Sequence, residues 1–270
     1  MAANYELREE EFERISSIIH ETCGINLHDG KKELVRARLT KRLRKLDLPD
    51  FREYLDFVES DENEFVAMVD SLCTNLTTFF REPDHFDYLV KEVFPSFNDN
   101  SRIRIWSAGC SSGEEAYTLA ILLNEYFPGI SRMDCLVLAT DISTRTLETA
   151  QRGVYTGRKL ANVPGDILKR YFKPLRNSNE ILFEVEQGLR TLIKFRYLNL
   201  MSRWPMKKPF DVIMCRNVMI YFDKITQREL VARFYDILKP GGIFMAGHSE
   251  SLTGIVHNFK YVRPSIYQKP

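Results

Sequence analysis

Over residues 1–73 the apolar positions recur at three and four residues and nowhere alternate, so this stretch predicts helices alone. Phe12, Ile15, Ile18 and Ile19 mark a first helix, with Gly24 placed to end it. Val35, Leu39, Leu43 and Leu46 line one face of a second, over 31–45 and just beyond. Leu48-Pro49 interrupts the pattern before a third helix over 51–58. Asp61 with Glu64 resembles a capping box ahead of Phe65, Met68, Val69 and Leu72. Helices without strands predict a small separate domain over 1–73. The next stretch, Thr74-Asn75-Leu76-Thr77-Thr78-Phe79-Phe80-Arg81, mixes polar and aromatic residues without a period. Pro83 then opens a helix reaching Val93, so 74–101 reads as a linker and first helix bordering a cleft.

From residue 102 the pattern changes to short apolar runs separated by helical ones. Ile103, Ile105 and Trp106 mark a strand, 109–113 is a loop of small residues, and Glu114 opens an apolar helix through Tyr117, Leu119, Ala120, Leu122 and Leu123. A second strand over 135–141 ends at Asp141, which is in place both to cap a helix over 143–151 and to face a cleft. A helix over 164–171 precedes an expected hairpin over 172–190, turning at Asn177-Ser178-Asn179. Further strands over 192–197 and 210–215 lead into Asn199-Leu200 and Arg216-Asn217. Asp223 caps a helix carrying Leu230, Phe234 and Leu238, which Pro240-Gly241-Gly242 should stop before a strand over 242–246. Two short strands, 259–262 and 265–268, close the chain. The alternation predicts a mainly parallel α/β sheet with crossover connections over 102–270, with the hairpin as a small β-subdomain.

Strand, glycine turn and helix form the nucleotide-binding corner of such a sheet. Glycine spacing alone is weak evidence, because tight turns need glycine for steric reasons. The carboxylates of Glu114 and Glu115 add to it: at a helix start they repel a diphosphate and welcome a cation. S-adenosylmethionine carries an ammonium and a sulfonium and no phosphate, so a methyl donor fits better than NAD. Asn75, Thr77 and Arg81 add hydrogen-bonding groups at the domain junction.

The overall formal charge of +1 gives no global reason to invoke nucleic acid or an anionic membrane. The second helix departs from that balance, with Lys31, Lys32, Arg36, Arg38, Lys41, Arg42, Arg44 and Lys45 opposed only by Glu33. A charge run is commonly a solvated face. So local an excess also suits docking of something acidic, and the absence of aromatics disfavours single-stranded RNA. The five cysteines are scattered without C-x-x-C spacing, which predicts reduced thiols in the cytoplasm and no zinc site. No apolar run reaches membrane-spanning length, and the N-terminus is too polar and acidic for a signal peptide.

The segments T-N-L-T-T-F-F-R at 74–81, A-G-C-S-S-G-E-E-A-Y at 108–117, A-T-D-I at 139–142 and F-D-V-I-M-C-R-N-V-M-I-Y-F at 210–222 resemble, in order and spacing, the motifs of the CheR family of chemotaxis receptor methyltransferases. The similarity covers nearly the whole chain. It implies an S-adenosylmethionine-dependent methyltransferase fold, Rossmann-like, with an all-helical N-terminal domain. The implied reaction is O-methylation of glutamate side chains on the cytoplasmic helices of chemoreceptors, with S-adenosyl-L-homocysteine as product, by a monomer without a metal. The resemblance places Asn75, Thr77, Arg81, Glu115, Asp141, Asn199, Leu200, Arg216 and Asn217 around the donor. Glu114 remains an alternative to Glu115 for the methionine ammonium. Arg81 and Tyr221 are the expected grips on the acceptor carboxylate, and Arg36, Arg38 and Arg42 the expected docking cations. A glutamate is already ionised at neutral pH, so no general base is needed and the five histidines need no catalytic role. An RNA or other protein acceptor, or a non-catalytic receptor scaffold that binds the donor, are the competing readings.

Overall fold

The computed structural model describes residues 5–98, 102–176 and 180–270. Four helices come first: α1 (Glu9–Cys23), α2 (Lys32–Leu46), α3 (Phe51–Ser60) and α4 (Glu62–Leu72). Gly24 ends α1 in the left-handed region, its N–H returning to the His20 carbonyl. Asp50 and Asp61 cap α3 and α4 by accepting from the N–H groups of Glu53 and Glu64. The expected capping box is therefore half made. The Glu64 carboxylate turns inward instead, accepting from Arg42 and from the Tyr54 hydroxyl. Ile15, Ile19, Leu39, Leu43, Phe51 and Tyr54 form a core with no exposure. Past the linker, α5 (Pro83–Tyr88) begins with Pro83 in its first turn and runs on through a wide turn over Leu89–Val93.

The rest is built from β1 (Ile103–Ala108), α6 (Glu114–Tyr126), β2 (Cys135–Asp141), α7 (Thr144–Arg152), β3 (Val154–Thr156), α8 (Gly165–Tyr171), β4 (Phe172–Arg176), β5 (Ile181–Val185), α9 (Gln187–Thr191), β6 (Ile193–Tyr197), β7 (Phe210–Cys215), α10 (Lys224–Ile237), β8 (Leu238–Ala246), β9 (Lys260–Arg263) and β10 (Ile266–Gln268). Seven strands form one sheet in the order β6-β2-β1-β7-β8-β10-β9. The first five are parallel, and β10 runs antiparallel between β8 and β9. Leu119, Ala120 and Leu123 of α6 cover one face against Ile105 and Val137. Leu230, Val231 and Phe234 of α10 cover the other, against Trp106, Ile213 and Phe244. Cover on both faces explains why β7 reads as an unbroken buried run and not as an alternation. Chain order reverses between β1 and β7, which leaves a crevice beyond their carboxyl ends.

Three expectations need correction. The hairpin over 172–190 is part of a three-stranded sheet, β3-β5-β4, that reaches back to Val154, while its last residues form α9. Three residues are too few to show a strand period, and the turn at 177–179 lies outside the described residues. Leu238 does not continue α10: it opens β8 opposite Phe210, and 240–242 sit inside that strand as a bulge before Ile243 pairs with Val212. Pro240 lacks a donor for the ladder and is tolerated because of that bulge. Finally, Ser143 rather than Asp141 caps α7, its side chain accepting from the Thr146 N–H.

Candidate donor and acceptor site

The crevice is walled on its outer side by α1, α2 and the linker, so the cavity lies between the helical body and the sheet. At its centre, β1 must turn sharply into α6. Gly109 (φ +90°) leaves no room for a Cβ, which would meet Val218 at 2.3 Å. At Gly113 (φ +94°) a Cβ would meet Ala150 at 2.8 Å and the Tyr155 hydroxyl at 3.1 Å. The N–H groups of Gly109 and Cys110 donate to the Thr140 carbonyl at 2.8 and 2.9 Å, that of Gly113 to Cys110, and that of Ser111 to Asp141. These loop donors are consumed within the protein and cannot cradle a phosphate. The structure thus supports the sequence argument against a dinucleotide.

Glu114 and Glu115, inseparable in sequence, point apart. The Glu114 carboxylate is fully buried, accepting from Ser112 Oγ at 2.7 Å and from Lys159 Nζ at 2.8 Å beside the small sheet. Glu115 lines the cavity, with Oε1 accepting from Ser107 Oγ at 2.6 Å and Oε2 from Arg216 Nη1 at 3.0 Å. Burial raises its carboxyl above the usual range, outweighing Arg216 and the Ser107 hydroxyl. Asp141 also lines the cavity and is also raised by burial. Its oxygens each accept one backbone N–H, from Ser111 at 2.7 Å and Ser143 at 2.9 Å, which orients the carboxylate and leaves further lone pairs.

Asn75, Thr77 and Arg81 reach the cavity from the linker. The Asn75 amide nitrogen is buried with no partner among the described residues, which leaves a donor available at the cavity. Arg81 Nη1 donates to the Leu76 carbonyl at 2.9 Å, closing the linker on itself. Asn199 and Leu200 line the far end, but the Asn199 side chain serves the fold: Nδ2 donates to the Thr22 carbonyl at 2.6 Å and Oδ1 accepts from Met201 N at 2.9 Å. Arg216 and Asn217 form the floor, and Tyr221 the rim, with Lys31 Nζ 5.4 Å from its ring centre.

Two acids that the sequence did not single out organise this floor. Glu82 Oε2 accepts from Arg216 at 2.9 Å and its Oε1 from Asn217 Nδ2 at 3.3 Å. Glu250, also buried, accepts from the N–H groups of Asn217 and Gly247 at 2.6 Å and of Ile220 at 3.0 Å, fixing the loop after β7. Glu82 directly follows Arg81, so its place at the end of the linker motif was the available signal. Glu82, His85 and His248 lie close enough together to share a cation, but the Glu82 carboxylate is already committed to Arg216. His85 and His248 meet edge to face at 4.9 Å, and burial, followed by repulsion from Arg216, lowers His85 to about 4. His85 is thus a neutral packing ring.

The docking cations divide. Arg36 pairs with Glu33 at the surface at 2.6 Å. Arg38 donates to the Leu72 carbonyl at 2.6 Å and to Thr74 Oγ1 at 3.0 Å, holding the start of the linker. Arg42 is spent on Glu64, whereas Lys41, Arg44 and Lys45 are exposed.

Residues 75–267 match the family description "CheR methyltransferase, SAM binding domain", and residues 10–73 match "CheR methyltransferase, all-alpha domain". The chain is 38% identical to a chemotaxis protein methyltransferase of Borreliella burgdorferi over 98% of this chain and 96% of that one. It is 40% identical to a chemotaxis protein methyltransferase of Escherichia coli over 99% of this chain and 93% of that one. The acids, the orphaned Asn75 donor and the phosphate-averse glycine loop fit S-adenosylmethionine as ligand. With both of its parts matched, the chain belongs to the CheR methyltransferase family.

Proposed function

We propose that this protein esterifies glutamate side chains on chemoreceptor helices in the cytoplasm, with Glu115 holding the donor's ammonium, Asp141 its ribose hydroxyls, and Arg81 and Tyr221 the acceptor carboxylate. The observation that carries this reading is the cavity itself. Glu115 and Asp141 line it from the sheet, the former paired with Arg216, while Arg81 lines it from the linker and Tyr221 meets Lys31 of the helical body that bears the basic face of α2. A cationic donor and an anionic acceptor are thus each offered the opposite charge.

The bound donor would supply a methyl group on sulfonium; a carboxylate oxygen bonds to that methyl carbon as the carbon–sulfur bond breaks, and its electron pair leaves with sulfur as a neutral thioether. The acceptor is ionised before it arrives, so the protein moves no proton. Arg81 and Tyr221 align the carboxylate by ion pair and hydrogen bond. Arg38 holds the Leu72–Thr74 corner from which the linker side chains project. Domain limits of 1–73, 74–101 and 102–270 and a monomeric state complete the proposal.

The test is incubation with radiolabelled donor and receptor-bearing membranes. Label on the receptor that turns volatile after mild base identifies a carboxyl methyl ester. Base-stable label, or label on RNA instead, would reject the reading.

A further inference from the structure

Arg216 presents an electrostatic problem. Its side chain is 2% exposed and lies in the floor of a cavity whose ligand brings an ammonium and a sulfonium. A third cation in that confined space opposes binding unless it is neutralised. Two carboxylates flank it. Glu115 meets Nη1 at 3.0 Å, and Glu82 meets Nη2 at 2.9 Å and Nε at 3.3 Å. The two are not equivalent. Glu115 lines the cavity, so a ligand ammonium competes with Arg216 for it. Glu82 stands behind Arg216, outside the lining, and remains its partner when the cavity is filled.

The backbone is built to put Glu82 there. Glu82 and Asn217 both lie in the left-handed region, at φ +55° and +59°, and their side chains meet at 3.3 Å. Neither residue is a glycine, and such conformations persist only where the surroundings impose them. Arg216 is further held over the Phe86 ring at 5.3 Å and donates to the Arg81 carbonyl. Counting Glu82, Arg216 and Glu115 together gives a net charge of −1. The donor's methionine end with its sulfonium is +1; the thioether product lacks the sulfonium charge and is neutral.

We propose that Glu82 is a specificity-determining residue: as the standing counter-ion of Arg216, it sets the preference of this site for the cationic donor over its neutral product. The proposal rests on the donor's methionine lying at Glu115. Removing the Glu82 charge leaves Arg216 facing the sulfonium, which penalises donor and spares product.

Calorimetry with S-adenosylmethionine and S-adenosylhomocysteine on the full chain tests this. Glu82→Gln keeps size and shape. It should weaken donor binding by about tenfold and product binding by less than about threefold, as expected for one unit charge a few ångströms away at intermediate dielectric. Arg216→Gln should move the donor-to-product ratio the other way, because two acids are then left uncompensated. It carries the test alone if Glu82→Gln does not fold. Equal loss of both ligands in Glu82→Gln, or a ratio unchanged in Arg216→Gln, would reduce Glu82 to a structural role and overturn the proposal. Failure of the reading beneath it gives a different result: Glu115→Gln would then bind the donor as the wild type does.

Discussion

Burial sets Glu115 and Asp141 against the stability of the empty protein. Both carboxyl groups are raised, and a raised acid contributes stability that is full below its unfolded value and is lost as pH rises through its folded value. At neutral pH the ionised Glu115 is therefore a cost in the empty protein. Glu115→Gln should raise the melting temperature of the unliganded chain at pH 7 and abolish the further rise that donor gives the wild type. At a pH near the ordinary carboxylate value the difference between the two unliganded chains should close. Donor affinity should run the opposite way and fall as pH drops, because only the ionised acids hold the cation; a flat affinity profile between pH 7 and 5 would count against these roles. The proposed roles of Tyr221 and Arg81 at the acceptor are tested by substitution. Tyr221→Phe should cost about 1–3 kcal/mol of barrier, as for a lost hydrogen bond to a charged group, and leave donor binding nearly intact. Arg81→Ala should cost more and Arg81→Lys should recover only part, since an ammonium lacks the planar two-point grip. A Tyr221→Phe enzyme with wild-type turnover would remove Tyr221 from this step. At this scale the sequence showed which residue types gather but not which way they face. Glu114 and Glu115 are adjacent on a helix, about 100° apart in direction, and only the packing of Lys159 and Ser112 decides that Glu114 turns away.

Among the elements, α2 shows how a basic run divides between fold and function. Its apolar face, Val35, Leu39 and Leu43, was legible from period alone. The roles of its arginines were not, because Glu64 lies on a different helix, and a capping-box pattern hid its inward turn. Arg42→Ala strands a carboxylate that is 5% exposed and deprives Tyr54 of the charge balance around it. We expect a loss near the lower end of the ~3–5 kcal/mol seen when one side of a buried pair is removed, read by denaturant unfolding. Charge reversal at Lys41, Arg44 and Lys45 should instead leave stability and donor affinity near wild type and slow receptor methylation. Added salt should bring the wild type down toward the reversed protein, as screening requires. Unchanged methylation by the reversed protein would make this face merely solvated. The strands were legible where several apolar residues run together, as Cys135 to Ala139 do in β2 and Val212 to Cys215 in β7. They were missed where packing, not pattern, makes the strand. The triplet Val154–Thr156 becomes β3 because Tyr155 packs on Phe79 at 5.1 Å and donates to the Ser112 carbonyl at 2.6 Å. Leu238 joins β8 because Lys239 Nζ reaches Asp211 at 2.5 Å across the bulge.

At the scale of the whole molecule, the helical body is clasped onto the sheet by contacts distant in sequence. Ile25 bridges Phe222, Asn26 N–H donates to the Tyr221 carbonyl at 2.8 Å, His20 meets Asp223 at 2.8 Å, and Thr144 donates to Asp70 at 2.9 Å. No local pattern announces such pairs, so the sequence placed Asn199 beside the cavity without showing that its side chain also fastens Thr22. The cavity exists only because this clasp brings Ile25, Leu27, Lys31 and Val35 over the sheet's crevice. Asn199→Ala removes the 2.6 Å bond to Thr22 together with the local bond from Met201 N, and leaves the Asp141 and Glu115 contacts untouched. If the clasp shapes the cavity, the variant should bind donor more weakly while its melting temperature falls little, since each hydrophobic core is intact. Amide exchange localises the effect: the Asn26 N–H should exchange faster in the variant, and saturating donor should slow it in both proteins. Donor that protects Gly109 and Ser111 but leaves Asn26 unaffected would mean that the cavity is complete on the sheet side alone. The helical body would then serve the acceptor only, and receptor methylation by Asn199→Ala at saturating donor would show whether that role also depends on the clasp.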